Sequence, residues 1–321
     1  MMLSVVSPSL VLVLTGIFAL LLLATSTVGV AVAAIRVFGG PSWIASSPIL
    51  PELRARLRSW WIMAASFSVC LILGRVASLT FLALVSFLVL REYLSVTPFH
   101  AGDRAGLFVA YATIPLQYGW IARGHADAAA MVPIAALAVL GAIVAMRGRT
   151  QNFLRSSALI IWGVMIAIVA LGHLALIAAR PASLGYIAGG PGLLLFIVFV
   201  CQIGDVAQYI AGKSLGRRLA VPGISPNKTI AGYVGGLITA ALAAAALGPY
   251  LTPMSPGESL AIGAALGILG CLGGLTISAV KRDLGIKDMG RLLPGHGGAL
   301  DRADSLVFSA PFFYHYLVLA H

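Results

Sequence analysis

The chain has 321 residues, 60% of them hydrophobic and only 10% charged, against roughly 25% charged in an ordinary soluble domain. That composition excludes a freely soluble globular enzyme and points to a protein built for lipid. A formal charge of +11 would suit nucleic acid, but in a chain of apolar runs the placement of basic residues over the loops accounts for it first, and no nucleic-acid partner is expected.

The first apolar run, 8–35, contains no charged residue and exceeds the about 20 residues that cross a hydrocarbon core as a helix. It is also longer than the roughly 7–15-residue apolar region of a signal peptide, and no Lys or Arg precedes Arg36. It reads as a spanning helix. Further runs follow near 60–74, 76–90, 105–122, 128–146, 157–179, 191–211, 229–248, 259–280 and 303–320. The expected fold is therefore all-α, a polytopic integral membrane protein of about 8–10 transmembrane helices. The spread in that count comes from 60–74 and 76–90, which are short, meet at Gly74-Arg75 and read as a single re-entrant or tilted pair.

Threading the runs with the N-terminus outside places 18 of the 21 basic residues in inner loops and leaves Arg75, Arg123 and Arg180 outside. Cytoplasmic loops carry such an excess of Lys and Arg. The expected location is the inner cell membrane, multi-pass, with the chemistry on the cytoplasmic face. Residues 1–150 read as an N-terminal transmembrane scaffold and 151–321 as a C-terminal transmembrane catalytic half. Cys70, Cys201 and Cys271 each stand alone in apolar runs and read as buried small side chains.

Only ten acidic residues exist in the chain, and Asp283, Asp288, Asp301 and Asp304 fall together in 278–305, interleaved with Lys281, Arg282, Lys287, Arg291 and Arg302. Interleaved signs suggest a metal held among phosphates rather than a polybasic lipid patch. On a helix, Ser278, Lys281 and Arg282 share one face, and Asp301 and Asp304 share a face of the helix that follows. Two carboxylates that close suit Mg²⁺, which takes one or two acids and completes its shell with water and phosphate oxygens. Between them lies Pro294-Gly295-His296-Gly297-Gly298, whose glycines allow a sharp turn and close approach to a ligand. His296 by itself fits either a structural hydrogen bond in that turn or a phosphate or base contact.

Upstream, Gln202, Asp205, Tyr209 and Lys213 fall at helical spacing and form one polar stripe on an apolar run. A buried ionisable group in a span is by default a functional candidate. Ala211-Gly212-Lys213-Ser214 lacks the first glycine and the preceding strand of a P-loop. Ser225, Asn227 and Lys228 close an inner loop just before a glycine-rich run; they fit a phosphate site at a helix start or an ordinary helix cap.

These residues resemble the phosphatidate cytidylyltransferases, also called CDP-diacylglycerol synthases. The C-terminal signature of that family is matched in order and spacing by Ser278, Lys281-Arg282, Lys287-Asp288, Gly295-His296-Gly297-Gly298 and Asp301-Arg302-Ala303-Asp304. Asp205, Tyr209 and Gly212-Lys213 agree with a second family feature, and Ser225 to Thr229 with a Ser-Pro-x-Lys-Thr segment. Together they cover roughly residues 200–310.

The chain departs from the pattern at Ala231, at Gly273-Gly274 and at Ile277-Ser278. Many members carry an acid at the position of Gly274, a metal ligand in the family's picture. Its replacement implies a divergent branch that recruits Asp304, Asp205 or Asp288, binds metal through substrate phosphates, or has weakened activity.

The resemblance implies transfer of a cytidylyl group from CTP to phosphatidate, giving CDP-diacylglycerol and pyrophosphate in phospholipid biosynthesis. It implies Mg²⁺ as cofactor, with room for a second, monovalent cation. Expected catalytic residues are Lys281, Arg282, Asp301 and Arg302. Expected substrate-binding residues are Ser225, Asn227, Lys228, Ser278, Lys287, Asp288, Gly295, His296, Gly297 and Gly298, and expected metal ligands are Asp301, Asp304 and Asp205. The partners would be CTP, phosphatidate, membrane lipids and a second copy of the chain. The competing readings are a catalytically silent relative serving as a lipid-binding or partner subunit, a CTP-dependent enzyme acting on another lipid acceptor, and a transporter. The last should show broken helices or repeated halves around the midplane, whereas the charges here gather at one surface.

Overall fold

The computed structural model describes residues 7–38, 49–99, 103–146, 153–181, 188–290, 292 and 297–321. The expected site residues Gly295 and His296 lie outside the described residues. Every apolar run of the sequence is helical. In chain order these are α1 (Pro8–Phe38), α2 (Ile49–Ile72), α3 (Arg75–Val96), α4 (Arg104–Ala122) and α5 (Ala126–Met146). Next come α6 (Phe153–Val164), a π-helix (Met165–Ala170) and α7 (Leu171–Ala178), followed by α8 (Gly189–Leu215). A hairpin of β1 (Leu219–Val221) and β2 (Ser225–Thr229) precedes α9 (Ile230–Leu251), α10 (Pro256–Asp283), α11 (Leu300–Ala303) and α12 (Leu306–Ala320). Among the described residues, seven helices are long and apolar enough to cross a bilayer. The protein is an all-α, multi-pass membrane protein.

The runs 60–74 and 76–90 lie in two successive helices, of 24 and 22 residues. They join at Gly74, whose φ of 91° is a backbone state that side chains with a Cβ rarely adopt. The loop after α8 folds into an antiparallel hairpin pairing Leu219 with Thr229 and Val221 with Ser225. Thr229 ends that strand and caps α9, its Oγ1 accepting from Gly232 N at 3.1 Å, so the capping alternative for this loop is realised.

Contacts between loops separate into two ends, as alternating threading requires. At one end Leu300 N donates to Glu92 Oε2, Ser156 Oγ to Asp103 Oδ2 and Arg282 Nε to the Ile224 carbonyl. At the other, Arg75 reaches the Ile121 and Ala122 carbonyls and His321 Nε2 pairs with Glu258 Oε1. Every side chain of the 278–305 cluster described in these contacts lies at the first end.

Helices α8, α9 and α10 pack most intimately, through small residues. A Cβ on Gly236 of α9 would stand 2.9 Å from the Gly204 carbonyl of α8, and one on Gly263 of α10 would stand 2.7 Å from the Ala240 carbonyl of α9. Lipid offers little hydrophobic drive for helices to associate, so close backbone approach at small residues supplies the packing energy instead. Within this packing Asp205 lines a crevice between the three helices. Elsewhere the core is built on fully buried Tyr93, Phe196 and Phe313. The wide π-helical turn exposes the Ile168 carbonyl to Gln117 Nε2 of α4 at 2.9 Å.

Candidate active site

The C-terminal end of α10, the α11 turn, the C-terminal part of α8 and the start of α9 converge at the first end of the bundle. Asp301, on α11, is 8% exposed. Its Oδ1 accepts from Lys281 Nζ at 2.8 Å, and its Oδ2 accepts from Met289 N and Gly298 N, each at 2.9 Å. Gly297, at φ 79°, turns the chain around this carboxylate, and a Cβ there would stand 2.7 Å from Asp301 Oδ2. Asp301 thus ties the end of α10, the segment after it and the glycine loop to one anion. One Oδ1 lone pair is left unclaimed by these donors.

A second group lies along α10. A Cβ on Gly274 would stand 3.1 Å from Lys228 Nζ and 3.5 Å from Asp304 Oδ2, so an ammonium and a carboxylate both come close to the bare backbone at residue 274. Asp304 Oδ1 accepts from Ser305 N at 2.9 Å. Burial pushes the Asp304 carboxyl above the ordinary carboxylate range, against the pull of Lys228, Lys281 and Arg302. Asp205 of α8 completes the group, with Asp304, Lys228 and Arg302 as its charged neighbours. It also lines a crevice between α8, α9 and α10 together with Gln208, Gly236 and Cys271.

The remaining expected residues fall around this centre in different ways. Arg282 turns outward, its Nε and Nη1 donating to the Ile224 and Ile286 carbonyls, both at 3.1 Å; it fastens the β-hairpin to the end of α10. Ser278 is buried and donates to the Gly274 carbonyl at 2.6 Å. Arg302 sits beside Asp205 and Asp304, its carbonyl accepting from Gln202 Nε2 at 3.3 Å. Ser225 and Asn227 lie on β2 next to Lys228, with Asn227 exposed. Lys287 and Asp288 are exposed beyond α10. The stripe on α8 divides: Gln202 and Asp205 face the centre, whereas Lys213 Nζ sits 5.0 Å from the centroid of the half-exposed Tyr209 ring.

Two residues near the centre escaped the sequence reading. Tyr233, in the first turns of α9, has Lys228 Nζ 5.8 Å from its ring centroid, and its buried hydroxyl finds no hydrogen-bond partner among the described residues. Glu92, near the C-terminal end of α3, accepts from Leu300 N at 3.0 Å. An aromatic in a glycine-rich apolar run and an acid standing apart from the C-terminal cluster gave no spacing signal to find them by.

The donor set decides which ion it fits. Among the described residues no three His, Cys, Asp or Glu side chains gather as a metal cage. That disfavours a transition metal held wholly by protein, but Mg²⁺ needs only one or two carboxylates plus water and phosphate oxygens. Asp205 and Asp304, half-buried acids sharing one neighbourhood, fit such an ion, with the Tyr233 hydroxyl, unpartnered among the described residues, as a further oxygen. Asp301 fits it only through the remaining lone pair on Oδ1.

Residues 54–320 match the Cytidylyltransferase family. The chain is 39% identical over 267 residues to the uncharacterized protein YnbB of Escherichia coli strain K12, an alignment covering 83% of this chain and 87% of that protein. To a phosphatidate cytidylyltransferase of Staphylococcus haemolyticus it is 30% identical over 242 residues, covering 75% of this chain and 90% of that one. To the phosphatidate cytidylyltransferase of Bacillus subtilis strain 168 it is 42% identical over 136 residues, or 39% of this chain and 48% of the relative. With five-sixths of its length inside the family match, this chain belongs to the Cytidylyltransferase family.

Proposed function

We propose that the protein transfers the cytidylyl group of CTP to phosphatidate at the cytoplasmic face of the inner membrane. The products are CDP-diacylglycerol and pyrophosphate. A phosphate oxygen of the lipid attacks the α-phosphorus of CTP and a new P–O–P bond forms. The bond from that phosphorus to the bridging oxygen of the β-phosphate breaks, and pyrophosphate leaves with the electron pair. The nucleophile is already an anion near neutral pH, so no protein base is required, and catalysis rests on alignment and on neutralising charge.

The observation that carries this reading is the approach of both Lys228 and Asp304 to Gly274, together with the Lys281–Asp301 pair, in a chain of this family. Lys228, Lys281 and Arg302 would neutralise the triphosphate and the lipid phosphate. Ser225 and Asn227, on the hairpin that Arg282 fastens, are placed to hydrogen-bond nucleotide, and Lys287 and Asp288 to meet it from the exposed side. The loop carrying Gly295, His296, Gly297 and Gly298 would bring its backbone close to phosphate. Asp205 and Asp304, with Asp301 through its free lone pair, would hold Mg²⁺. When bound, that ion would screen the triphosphate and stabilise charge on the departing pyrophosphate.

A second reading rests on Gly274: with no acid there and Lys228 in its place, the chain would be a relative that binds lipid and nucleotide without turnover, or one that serves a different acceptor. A panel of acceptors separates these readings. Purified protein in nanodiscs is given labelled CTP and Mg²⁺ with phosphatidate, another lipid phosphate or a lipid alcohol, and lipid-soluble cytidine is scored. Product with phosphatidate alone supports the first reading. Product only with another acceptor, or with none, overturns it.

A further inference from the structure

Glu92 is followed by Tyr93, whose side chain is 2% exposed and whose hydroxyl donates to the Leu159 carbonyl at 3.0 Å. That anchor fixes the C-terminal end of α3 and with it the Glu92 carboxylate. Glu92 Oε2 accepts from Leu300 N, the first residue of α11, at 3.0 Å. A Cβ on Gly290 would stand 2.6 Å from Glu92 Oε1, and one on Gly298 would stand 2.7 Å from its Cδ and overlap Oε2. One carboxylate from the first half of the chain therefore meets the C-terminal half at residues 290, 298 and 300. Both glycines are bare where it passes.

The same short stretch carries the site. Gly298 N donates to Asp301 Oδ2, Asp301 holds Lys281, and Arg302 follows on α11. A half-buried carboxylate at the end of a helix bundle is costly unless it is hydrogen-bonded. An amide-to-carboxylate bond is about twice as strong as a neutral one, so the contact is directional as well as favourable.

We infer that Glu92 is a positioning residue of the active site, clasping Gly290, Gly298 and Leu300 so that Asp301, and through it Lys281, are held in register with α3. The assignment rests on the reading above that these C-terminal residues form a cytidylyltransferase site. It gives the N-terminal half a direct part in arranging the chemistry. Misplacing a reacting group by about 1 Å costs on the order of 100-fold in rate, and that is the scale expected on losing the clasp.

The test uses the full chain in nanodiscs and two readouts. By hydrogen exchange, the amides of Gly298 and Leu300 should exchange at least about tenfold faster in Glu92→Ala than in the wild type, while Glu92→Gln, which keeps an acceptor oxygen, stays close to wild type. By activity, Glu92→Ala should lower kcat about 100-fold with little change in KM for CTP, and Glu92→Gln should recover most of it. Gly290→Ala should be harmful alone but add nothing on the Glu92→Ala background, because the collision partner is gone. Unchanged exchange in Glu92→Ala, or additive effects of the two substitutions, would overturn the assignment. If the wild type makes no lipid-soluble cytidine product, the exchange comparison decides alone. If Glu92→Ala does not insert, Gly290→Ala decides: faster exchange at Leu300 supports the clasp, and exchange equal to wild type contradicts it.

Discussion

The ammonium of Lys281 lies 2.8 Å from Asp301 Oδ1, with the two side chains only 12% and 5% exposed. Removing one partner of a buried ion pair leaves an uncompensated charge and costs about 3–5 kcal/mol. Lys281→Met should therefore destabilise the folded protein on that scale in a detergent-denaturation titration. Lys281→Arg, which keeps the charge, should cost less than half as much.

Asp301→Asn should abolish lipid-soluble cytidine product while the protein still inserts. The amide can keep accepting from Met289 N and Gly298 N, but it no longer balances Lys281. The check is turnover alongside a membrane-insertion assay, and full turnover in this variant would remove Asp301 from the chemistry.

Asp304 and Asp205 share a half-buried neighbourhood beside Lys228. Mutating groups that merely support metal ligands costs about 10- to 100-fold in metal affinity, and loss of a direct carboxylate should cost at least that. The Mg²⁺ concentration giving half-maximal turnover should rise by that factor in Asp304→Asn and in Asp205→Asn. It should move much less in Asp288→Asn, whose side chain is exposed away from the pair.

Gly274 stands 3.1 Å, measured from a Cβ built upon it, from a lysine nitrogen at the end of a flexible side chain. Gly274→Ala should fold normally and lose less than about tenfold in turnover, since Lys228 can yield by a few tenths of an ångström. Lys228→Met should lose about 100-fold or more, the scale of removing a charged group that stabilises a transition state. Equal losses in the two variants would mean that packing at residue 274, rather than the ammonium, is what matters.

Gly236 meets the Gly204 carbonyl across α8 and α9. Gly236→Val should force these helices apart, with an overpacking cost of about 1–3 kcal/mol. It should also lower turnover by shifting Asp205, which lies one residue from Gly204. Denaturation and turnover measured on one preparation check both effects.

The sequence disclosed the helices because lipid demands long apolar runs, and that demand is written residue by residue. It disclosed Lys281, Asp301 and Asp304 because charges are rare in such a chain and these are crowded together. It did not disclose that Asp301 gathers two backbone amides as well as Lys281, since which amides converge depends on how the loop closes. Glu92 is separated from Leu300 by most of the chain, and only packing of α3 against α11 joins them. Gly74 marked a boundary, but whether two short apolar runs are one bent element or the ends of two helices depends on how far polar residues such as Glu92 and Tyr93 continue the helix past the run. The hairpin at 219–229 was hidden because a short strand pair in a loop leaves too few residues for a period-2 pattern.

The central claim, metal-assisted cytidylyl transfer at the Lys228–Asp304 and Lys281–Asp301 cluster, is met most directly by following labelled CTP and phosphatidate with the purified wild type, with and without chelator. The expected result is one pyrophosphate released per CDP-diacylglycerol formed, lost on chelation and restored by Mg²⁺. Product formation that persists in chelator, or CTP consumed without lipid-linked cytidine, would contradict it.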